Sequence, residues 1–351
     1  MNVIGWDIGG VHLKAVRLEG DRVVDAVQLA APLRAGLEPL VRALDQAKAR
    51  MGRADRHAVT MTAELADTFA SRAEGVERIA ALAARALSGH VILYAGRAGF
   101  IAPDRASAHV ADIASANWHA SAAFVARRRK HALFVDMGST TTDIVPVAGG
   151  AIVARGYTDA ERLAAGELVY TGLVRGFVMA AADRAPVNGA WTPLVNENFA
   201  NMGDVHRILG SLPEGADQMA TADGREKTIA ASRARLARMV GRDAADADEA
   251  VWEALARWFA ESQTRAIFDA AMLVASARCA PFDAPIVAAG IGASFVREIA
   301  RRLGRECVAF ASLIEAEPEA RAAASQCAPA AALALLAAAT LDRLELSRAA
   351  R

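Results

Sequence analysis

Two segments of the chain repeat one pattern, and this repeat constrains the fold more than any other feature. Residues 2–18 read NVIGWDIGGVHLKAVRL, and residues 132–147 read ALFVDMGSTTTDIVPV. Each segment has an apolar strand, an Asp-x-Gly turn, small or hydroxylated residues and a second apolar strand. Glycine supplies the positive φ and the close backbone approach that such a turn needs. The sequence therefore predicts two β-hairpins that belong to two related halves facing each other.

The rest of the chain alternates between strand and helix patterns, which indicates an α/β protein. The predicted helices are 37–51, 75–87, most of 111–128 and a final helix at 329–347. Apolar runs predict strands that begin at 57 and 90. The segment 284–304 reads as a strand, a glycine turn and the start of a helix.

The length of 351 residues suits two domains of ordinary size. We expect the first domain to comprise 1–130 and 329–351, with the first turn. The second is expected to comprise 131–328, with the second turn and the Gly290/Gly292 turn. Within it, residues from about 176 to 285 read as an insertion that contains a charged helical stretch at 225–268.

Composition indicates neither a nucleic-acid partner nor a membrane surface. The formal net charge is zero, and the one dense basic run, 127–130, reads as a solvated helix end. The three cysteines lack metal-ligand spacing, so we expect reduced, mostly structural thiols. The chain opens on a strand rather than a signal peptide, and its longest apolar run, 328–340, is too short for a bilayer. These features predict a cytoplasmic protein.

Three glycine-rich elements together predict a phosphate site. Turns of this kind expose backbone N–H groups that bind phosphate oxygens, and hydroxyls add further donors. A lone Asp-x-Gly hairpin is usually only a turn, but two copies followed by a strand–glycine–helix element are far more specific. The residues expected on the phosphate are Gly9, Gly10, Lys14, Gly138, Ser139, Thr140, Thr141, Thr142, Gly290, Gly292 and Arg175.

Three carboxylates flank these turns and predict a divalent metal. Asp7, Asp136 and Asp143 would repel a bare phosphate, so they fit the site mainly through Mg²⁺, or another divalent cation, and its waters. Lys14 would offset the remaining charge. The interpretation is a phosphate or diphosphate held between the two hairpins, with the aspartates near its metal.

The three elements resemble those of the actin, sugar kinase and Hsp70 ATPase superfold, which implies two related domains around a central cleft. DMGSTTTDIVPV resembles the second phosphate loop of hydantoinase A and oxoprolinase proteins. The whole chain is similar to the shorter branch of that family, which is linked to tetrahydromethanopterin C1 transfer or to furanylmethylamine synthesis for methanofuran. The segments that carry this resemblance are TAELADTF, SANW, GELVYTGLVR, NENFANMGDVHRILG and TADGREKT.

The resemblance implies a transferase of methanofuran or methylofuran biosynthesis. In that branch a furanylmethyl diphosphate is joined to the phenol oxygen of γ-glutamyltyramine, and pyrophosphate is released. The first turn reads GGVHLK, without the threonine common after the second glycine in the superfold, so ATP is less strongly indicated than a diphosphate. The alternatives are an ATP-dependent hydantoinase or oxoprolinase, a sugar or acetate kinase, and an activator ATPase. A homodimer is compatible with the resemblance.

The matching segments also supply candidate side chains. Glu64, Asp67 and Glu167 are candidate bases, and Asp67 could equally cap a turn. Asn117 and Trp118 are candidates for the acceptor site, with a core tryptophan as the alternative. Arg175 follows Glu167 by eight residues, which in a helix would place both on a similar face.

Further candidates lie in the insertion. Glu197, Asn201 and Asp204 form a loop that could bind Mg²⁺ or a substrate amine, and His206 beside them reads more simply as a core or surface residue. The segment with Asp223, Arg225 and Lys227 is expected to begin a helix. Asp223-Gly224 reads as an ordinary turn, and the flanking cations could meet a glutamyl carboxylate or the diphosphate.

Overall fold

The computed structural model describes residues 1–349, with side chains for 1–34 and 36–340. The strands are β1 (Asn2–Ile8), β2 (His12–Glu19), β3 (Arg22–Ala30), β4 (Arg56–Met61), β5 (His90–Tyr94), β6 (Phe100–Ile101), β7 (Ala132–Met137), β8 (Thr142–Ala148), β9 (Ala151–Ile152), β10 (Leu168–Val169), β11 (Arg184–Val187), β12 (Ala190–Pro193), β13 (Ile286–Ala289) and β14 (Cys307–Ala309). The helices are α1 (Glu38–Met51), α2 (Arg72–Ala86), α3 (Val110–Ile113), α4 (Asn117–Arg128), α5 (Asp159–Ala165), α6 (Val178–Ala181), α7 (Met202–Ile208), α8 (Ile229–Arg238), α9 (Glu249–Ser276), α10 (Ala293–Arg302), α11 (Pro318–Gln326) and α12 (Ala328–Ala349).

Two sheets repeat one topology. The first has the strand order β3-β2-β1-β4-β5-β6, and the second has β10-β8-β7-β13-β14 with β9 also paired to β8. In each sheet an antiparallel hairpin, β1–β2 or β7–β8, pairs in parallel with a later strand, β4 or β13. The repeat of two hairpins that the sequence predicted is therefore confirmed.

A shared core joins the two sheets. Helices α1 and α2 cover one face of the first sheet, and α12 packs on its other face. Helix α4 packs against β7, β8 and β9 of the second sheet and against α12, in a core that includes strands of both sheets. The contact is close enough to require Gly5 on β1, because a Cβ there would lie 2.0 Å from the carbonyl oxygen of Ala330 on α12. The two sheets therefore pack against the same pair of helices. The predicted domain boundaries stay a prediction, and residues 350–351 lie outside the described part.

The insertion forms a core of its own. Helices α7, α8 and α9 pack with the β11–β12 hairpin around buried residues such as Trp252 and Phe259. The charged stretch predicted as one helical region is two helices, because residues 239–248 interrupt it with turns and a short 3₁₀ segment.

One property of the helices bears on the membrane question. Within the described residues, no single helix is both long and apolar enough to cross a bilayer, although Pro318–Gln326 and Ala328–Thr340 meet that test as a pair bent by 108°. The α12 residues 328–337 of this pair are buried in the core between the sheets.

Candidate active site

The first hairpin places an acid beside a base. Asp7 ends β1 opposite Lys14 on β2, and the Lys14 Nζ lies 3.7 Å from the Asp7 carboxylate. Asp7 is only 3 % exposed, and burial raises its pKa against the opposing effects of Lys14 and a hydrogen bond to Asn117. Burial acts to lower the pKa of Lys14, but Asp7 and Asp136 outweigh it and raise that pKa. Lys14 is therefore a buried cation between two carboxylates.

The second hairpin repeats this placement. Asp136 ends β7 opposite Asp143 at the start of β8, and the Gly138 N–H donates to the Thr141 carbonyl across the turn at 2.9 Å. Burial raises the pKa of Asp136 to about 7; Lys14 opposes this, and the nearby charges of Asp143 and Asp7 add to it. The two hairpins thus bring three carboxylates and one ammonium group together.

The third element packs directly against the second turn. A Cβ at Gly290 would lie 2.3 Å from an oxygen of Asp136, and one at Gly292 would lie 2.4 Å from the sulfur of Met137. Their amides are already used, since the Gly290 N–H donates to Ser325 and the Gly292 N–H to Met137. These two glycines therefore serve close packing with the second turn, and a role of the Gly290–Gly292 turn in phosphate binding stays a prediction.

Several donors in the two turns remain available. The backbone N–H groups of Gly10, Ser139 and Thr140 donate to no group in the described part of the chain. The Ser139 hydroxyl and the His12 Nε2 are buried and likewise lack a partner there. Buried polar groups without partners cost free energy, so this arrangement favours a ligand rich in oxygen atoms.

Basic side chains surround these donors. The Arg175 guanidinium donates to the Thr140 hydroxyl at 3.3 Å, and its pKa is lowered mainly by burial and further by the charge of Arg34. Burial, with Lys14 and Arg175, lowers the pKa of His12 to about 4, so this imidazole is neutral at pH 7. Lys14, Arg34 and Arg175 therefore form a cationic group around the two turns, with His12 as a neutral hydrogen-bonding partner.

An arginine connects the acids to α4. The buried Arg162 guanidinium donates to Asp143 at 2.7 Å and lies 4.1 Å from the centroid of the Trp118 ring. Asn117, at the first position of α4, lies close enough to Asp7 to lower the pKa of that carboxylate. Asn117 and Trp118 thus lie beside the acid cluster, and their role in binding an acceptor stays a prediction.

A second polar group links the two sheet-bearing halves near the acids. The Ser115 hydroxyl lies 2.9 Å from a carboxylate oxygen of Glu64 and 3.2 Å from one of Asp159. Asp159, at the start of α5, also pairs with Arg72 on α2 at 2.8 Å. Burial is the main cause that raises the pKa of Glu64, and its Oε2 is buried without a partner among the described residues.

The aspartates do not form a ready-made metal site. In the described part of the chain, no three Asp, Glu, His or Cys side chains come together as metal ligands. Asp143 is paired with Arg162, whereas the Asp7 Oδ1 is buried without a partner among the residues that the structure describes. Mg²⁺ commonly binds one or two carboxylates together with waters and substrate phosphates. The donor set therefore fits Mg²⁺ that is held jointly by Asp7, Asp136 and a phosphorylated ligand.

The family follows from comparison of the chain with known proteins. The family model for hydantoinase/oxoprolinase matches residues 55–339. The chain belongs to the hydantoinase/oxoprolinase family. A nucleotide-free acetone carboxylase structure shares the fold, with a TM-score of 0.56 and 11 % identity over 93 % of this chain and 70 % of that one. The predicted superfold is confirmed.

Two curated relatives carry one name. The first, from Methanocaldococcus jannaschii, is 34 % identical over 242 residues, which cover 69 % of this chain and 72 % of that protein. The second, from Methanococcus vannielii, is 33 % identical over 114 residues, 32 % of this chain and 51 % of that protein. Both are named (4-{4-[2-(gamma-L-glutamylamino)ethyl]phenoxymethyl}furan-2-yl)methanamine synthase. These relatives are enzymes.

Two of the three candidate bases in this hydantoinase/oxoprolinase family member do not suit the role of general base. Both carboxylate oxygens of Glu167 accept backbone N–H groups, from Arg155 at 2.7 Å and Gly156 at 2.9 Å, so Glu167 is structural. Asp67 is exposed in a loop. The segment from Glu167 to Arg175 is a short strand and turns, so the prediction of a shared helical face is wrong.

The predicted ligand loop of the insertion is structural. Asn201 and Asp204 form a capping box at the start of α7, and Asp204 also binds Arg235 at 2.7 Å. This prediction of a Mg²⁺ or amine site is wrong, because Asp204 is already neutralised. His206 is buried between Gln263 and Ser211, in agreement with the core alternative, and Glu197 is exposed away from these contacts.

The other insertion candidates precede α8 rather than begin it, since Thr228 caps that helix. Asp223 pairs with Arg235 at 3.2 Å, and Arg225 is exposed in the turn. Lys227 lies 3.3 Å from Asp217, whose charge also acts on His12. Of these three residues, Lys227 comes nearest to the first turn.

Sequence reasoning missed His12, Arg34, Asp159 and Arg162. His12 stands inside the quoted turn GGVHLK, and its position two residues before Lys14 on β2 was a usable signal. Arg34 and Arg162 gave no such signal, because only the tertiary fold brings them to Arg175 and Asp143.

Proposed function

We propose that this protein joins a furanylmethyl diphosphate to the phenol oxygen of a tyramine- or tyrosine-type acceptor, such as a γ-glutamyl derivative, and releases pyrophosphate. The relatives' name describes a phenoxymethyl group on a furan, which is an aryl ether. Formation of the bond between the phenol oxygen and the methylene carbon would give such an ether. The reaction belongs to methanofuran or methylofuran biosynthesis.

The observation that carries the proposal is the group of unpartnered donors between the two turns. The amides of Gly10, Ser139 and Thr140 point to an oxyanion ligand, because they donate to no group in the described chain. Lys14 and Arg175 bring positive charge to the same place. Charge-assisted hydrogen bonds of this kind are about twice as strong as neutral ones. A diphosphate meets these requirements.

In this transfer reaction the protein mainly has to stabilise the leaving group. The bond from the methylene carbon to the diphosphate oxygen breaks, and its electron pair leaves with pyrophosphate. The furan ring oxygen shares the positive charge on that carbon, so the phenol oxygen can attack as the old bond lengthens. Preorganised donors that meet charge developing in the transition state typically contribute ~10²–10³ in rate each. When bound, Mg²⁺ would act as a Lewis acid on the departing oxygens.

The proton of the phenol needs an acceptor. A phenol has an ordinary pKa of about 10, so a base helps at neutral pH. Of the three predicted bases, Glu64 has a buried oxygen without a partner among the described residues, and burial raises its pKa. A base works best when its pKa lies near the working pH. We assign the proton to Glu64, with Asn117 next to Asp7 positioning the phenol.

An ATP-dependent hydantoinase or oxoprolinase, or a kinase, is the second candidate. Membership of the hydantoinase/oxoprolinase family favours it, since the family model takes its description from those activities. The two functions differ in which phosphate compound must bind.

Binding calorimetry and thermal shift with Mg-pyrophosphate and with Mg-ATP test the proposal. Pyrophosphate at 100 times its dissociation constant should stabilise the fold by about 2.7 kcal/mol. A clear shift with ATP, together with no shift up to millimolar pyrophosphate, would contradict the proposal and support the second candidate.

A further inference from the structure

A cavity of about 340 Å³ lies beside α4 and is lined in part by Trp118. Its walls come from α4, from the 3₁₀ turn after β5 and from the segment around β9. The residues that matter for its chemistry are Arg97, Trp118, His119, Ala123, Arg127 and Tyr157. Pockets of this size suit small organic ligands.

The aromatic walls hold one another in place. Tyr157 packs edge-on against Trp118 and His119, with 5.9 Å between ring centroids in each pair. Its hydroxyl donates to the Asp112 carbonyl at 3.1 Å, and a Cβ at Gly96 would lie 1.8 Å from that hydroxyl. The pocket is therefore preformed around aromatic surfaces rather than created by a loose loop.

The pocket has a neutral aromatic interior and a positively charged edge. Burial, and then Arg97 and Arg162, lower the pKa of His119 to about 4, so its ring is neutral at pH 7, and its Nδ1 lies 2.8 Å from the Tyr94 hydroxyl. Arg97 is exposed and lies 4.3 Å above the Tyr157 ring. Arg127, about two and a half turns along α4 from Trp118, also lines the pocket. An aromatic floor with arginines at its edge suits a ring that carries an anionic tail.

Trp118 connects this pocket to the acid cluster. One side of its ring packs on Arg162, which pairs with Asp143, and the residue before it, Asn117, lies close enough to Asp7 to lower its pKa.

We infer that this pocket binds the aromatic acceptor, with its ring against Trp118 and Tyr157 and its anionic tail at Arg97. The identity of this ligand as the co-substrate rests on the proposed function, whereas the binding of a ring with an anionic tail does not.

Calorimetry with γ-glutamyltyramine and tyramine, each with Mg-pyrophosphate present, tests the inference. Ala123→Phe fills the pocket, Arg97→Ala removes the edge cation, and Arg128→Ala is the matched control because Arg128 is exposed outside the pocket. We expect the first two variants to weaken γ-glutamyltyramine binding at least tenfold and the control to match the wild type. Tyramine, without the anionic tail, should lose affinity only with Ala123→Phe. Pyrophosphate binding should not change.

Two results would overturn the inference. One is wild-type affinity for γ-glutamyltyramine in both Ala123→Phe and Arg97→Ala, and the other is no binding of γ-glutamyltyramine by the wild-type protein. Turnover separates this inference from the proposed function. If γ-glutamyltyramine binding follows the expected pattern but no ether forms, the assignment of the pocket is supported and the proposed reaction is contradicted. If the ether forms and the acceptor KM is unchanged in both variants, the proposed reaction is supported and the assignment of the pocket is contradicted.

Discussion

Lys14 determines the charge balance at the centre of the candidate site. It is the cation closest to Asp7, and its charge also acts on Asp136 and His12. The Lys14 ammonium group offsets the negative charge of the two buried carboxylates. A diphosphate adds further negative charge, so the same ammonium group is also needed to bind that ligand. Breaking a buried charge pair typically costs ~3–5 kcal/mol. Residue-scale predictions therefore concern Lys14 and the acids around it.

Lys14→Met should weaken Mg-pyrophosphate binding by about 10–100-fold, since one charge-assisted hydrogen bond contributes ~1.5–3 kcal/mol. Lys130→Met is the matched control, because Lys130 is exposed at the end of α4. Calorimetry measures both affinities. Equal pyrophosphate affinity in the two variants would remove Lys14 from the binding site.

Asp136→Asn should stabilise the ligand-free protein increasingly as pH rises. The folded-state pKa of Asp136 is raised to about 7 from an ordinary 3.8, so the folded protein holds this proton longer than the unfolded chain. The free energy of unfolding that protonated Asp136 contributes is fully present below about pH 4 and is lost as pH rises towards 7. Melting temperatures of both proteins across pH 4–8 should show a gap that widens up to pH 7 and is then constant. A gap independent of pH would contradict the raised pKa.

At the scale of elements, the second turn is held between two other segments. The segment that contains Gly172 packs beneath it, where a Cβ would lie 2.6 Å from backbone atoms of Ser139 and Thr140. Gly290 packs against it from the start of α10, with φ +82°. The turn therefore keeps its donors in one place because glycines on both sides permit backbone contact.

Gly290→Ala should lower the free energy of unfolding by about 2–4 kcal/mol, since overpacking and a positive φ both oppose the added methyl group. Gly10→Ala is the control, because a Cβ there would meet nothing within 4 Å. Urea unfolding measures both. Similar unfolding free energies for the two variants would show that the close packing at Gly290 is not required.

At the scale of the whole molecule, contacts cross between the two sheet-bearing halves over the acids. Arg72 on α2 pairs with Asp159 on α5, and the Gln218 side chain donates to the Gln28 carbonyl at 3.2 Å. Asp7 and Asp136 are only 3 % and 8 % exposed, and we expect a ligand to reach them through movement of the two halves apart. These contacts therefore oppose opening of the cleft.

Arg72→Ala should speed pyrophosphate association several-fold while changing stability by less than about 1 kcal/mol, because the pair is partly exposed. Arg78→Ala is the control, since Arg78 pairs with Glu74 within the same helix. Stopped-flow tryptophan fluorescence gives the rates. The same association rate in both variants would contradict a role of the Arg72–Asp159 pair in opening.

The parts of this account that local chemistry determines could be predicted from the sequence. Asp-x-Gly turns between apolar strands specify hairpins locally, so both sheets and the positions of Asp7 and Asp136 followed from the repeat. Partners distant in sequence could not be predicted, such as Arg162 for Asp143 or Arg235 for Asp204. The helical reading of the segment before Arg175 failed because tertiary packing under the second turn overrode local periodicity.

The most direct test of the central claim is a reaction without ATP. The purified protein is supplied with a furanylmethyl diphosphate, γ-glutamyltyramine and Mg²⁺, and the products are followed by mass spectrometry and a pyrophosphate assay. The account predicts an aryl ether and pyrophosphate in equal amounts, with Asp136→Asn slower by ~10²–10³. A strict requirement for ATP, with ADP and inorganic phosphate formed in place of pyrophosphate, would contradict it.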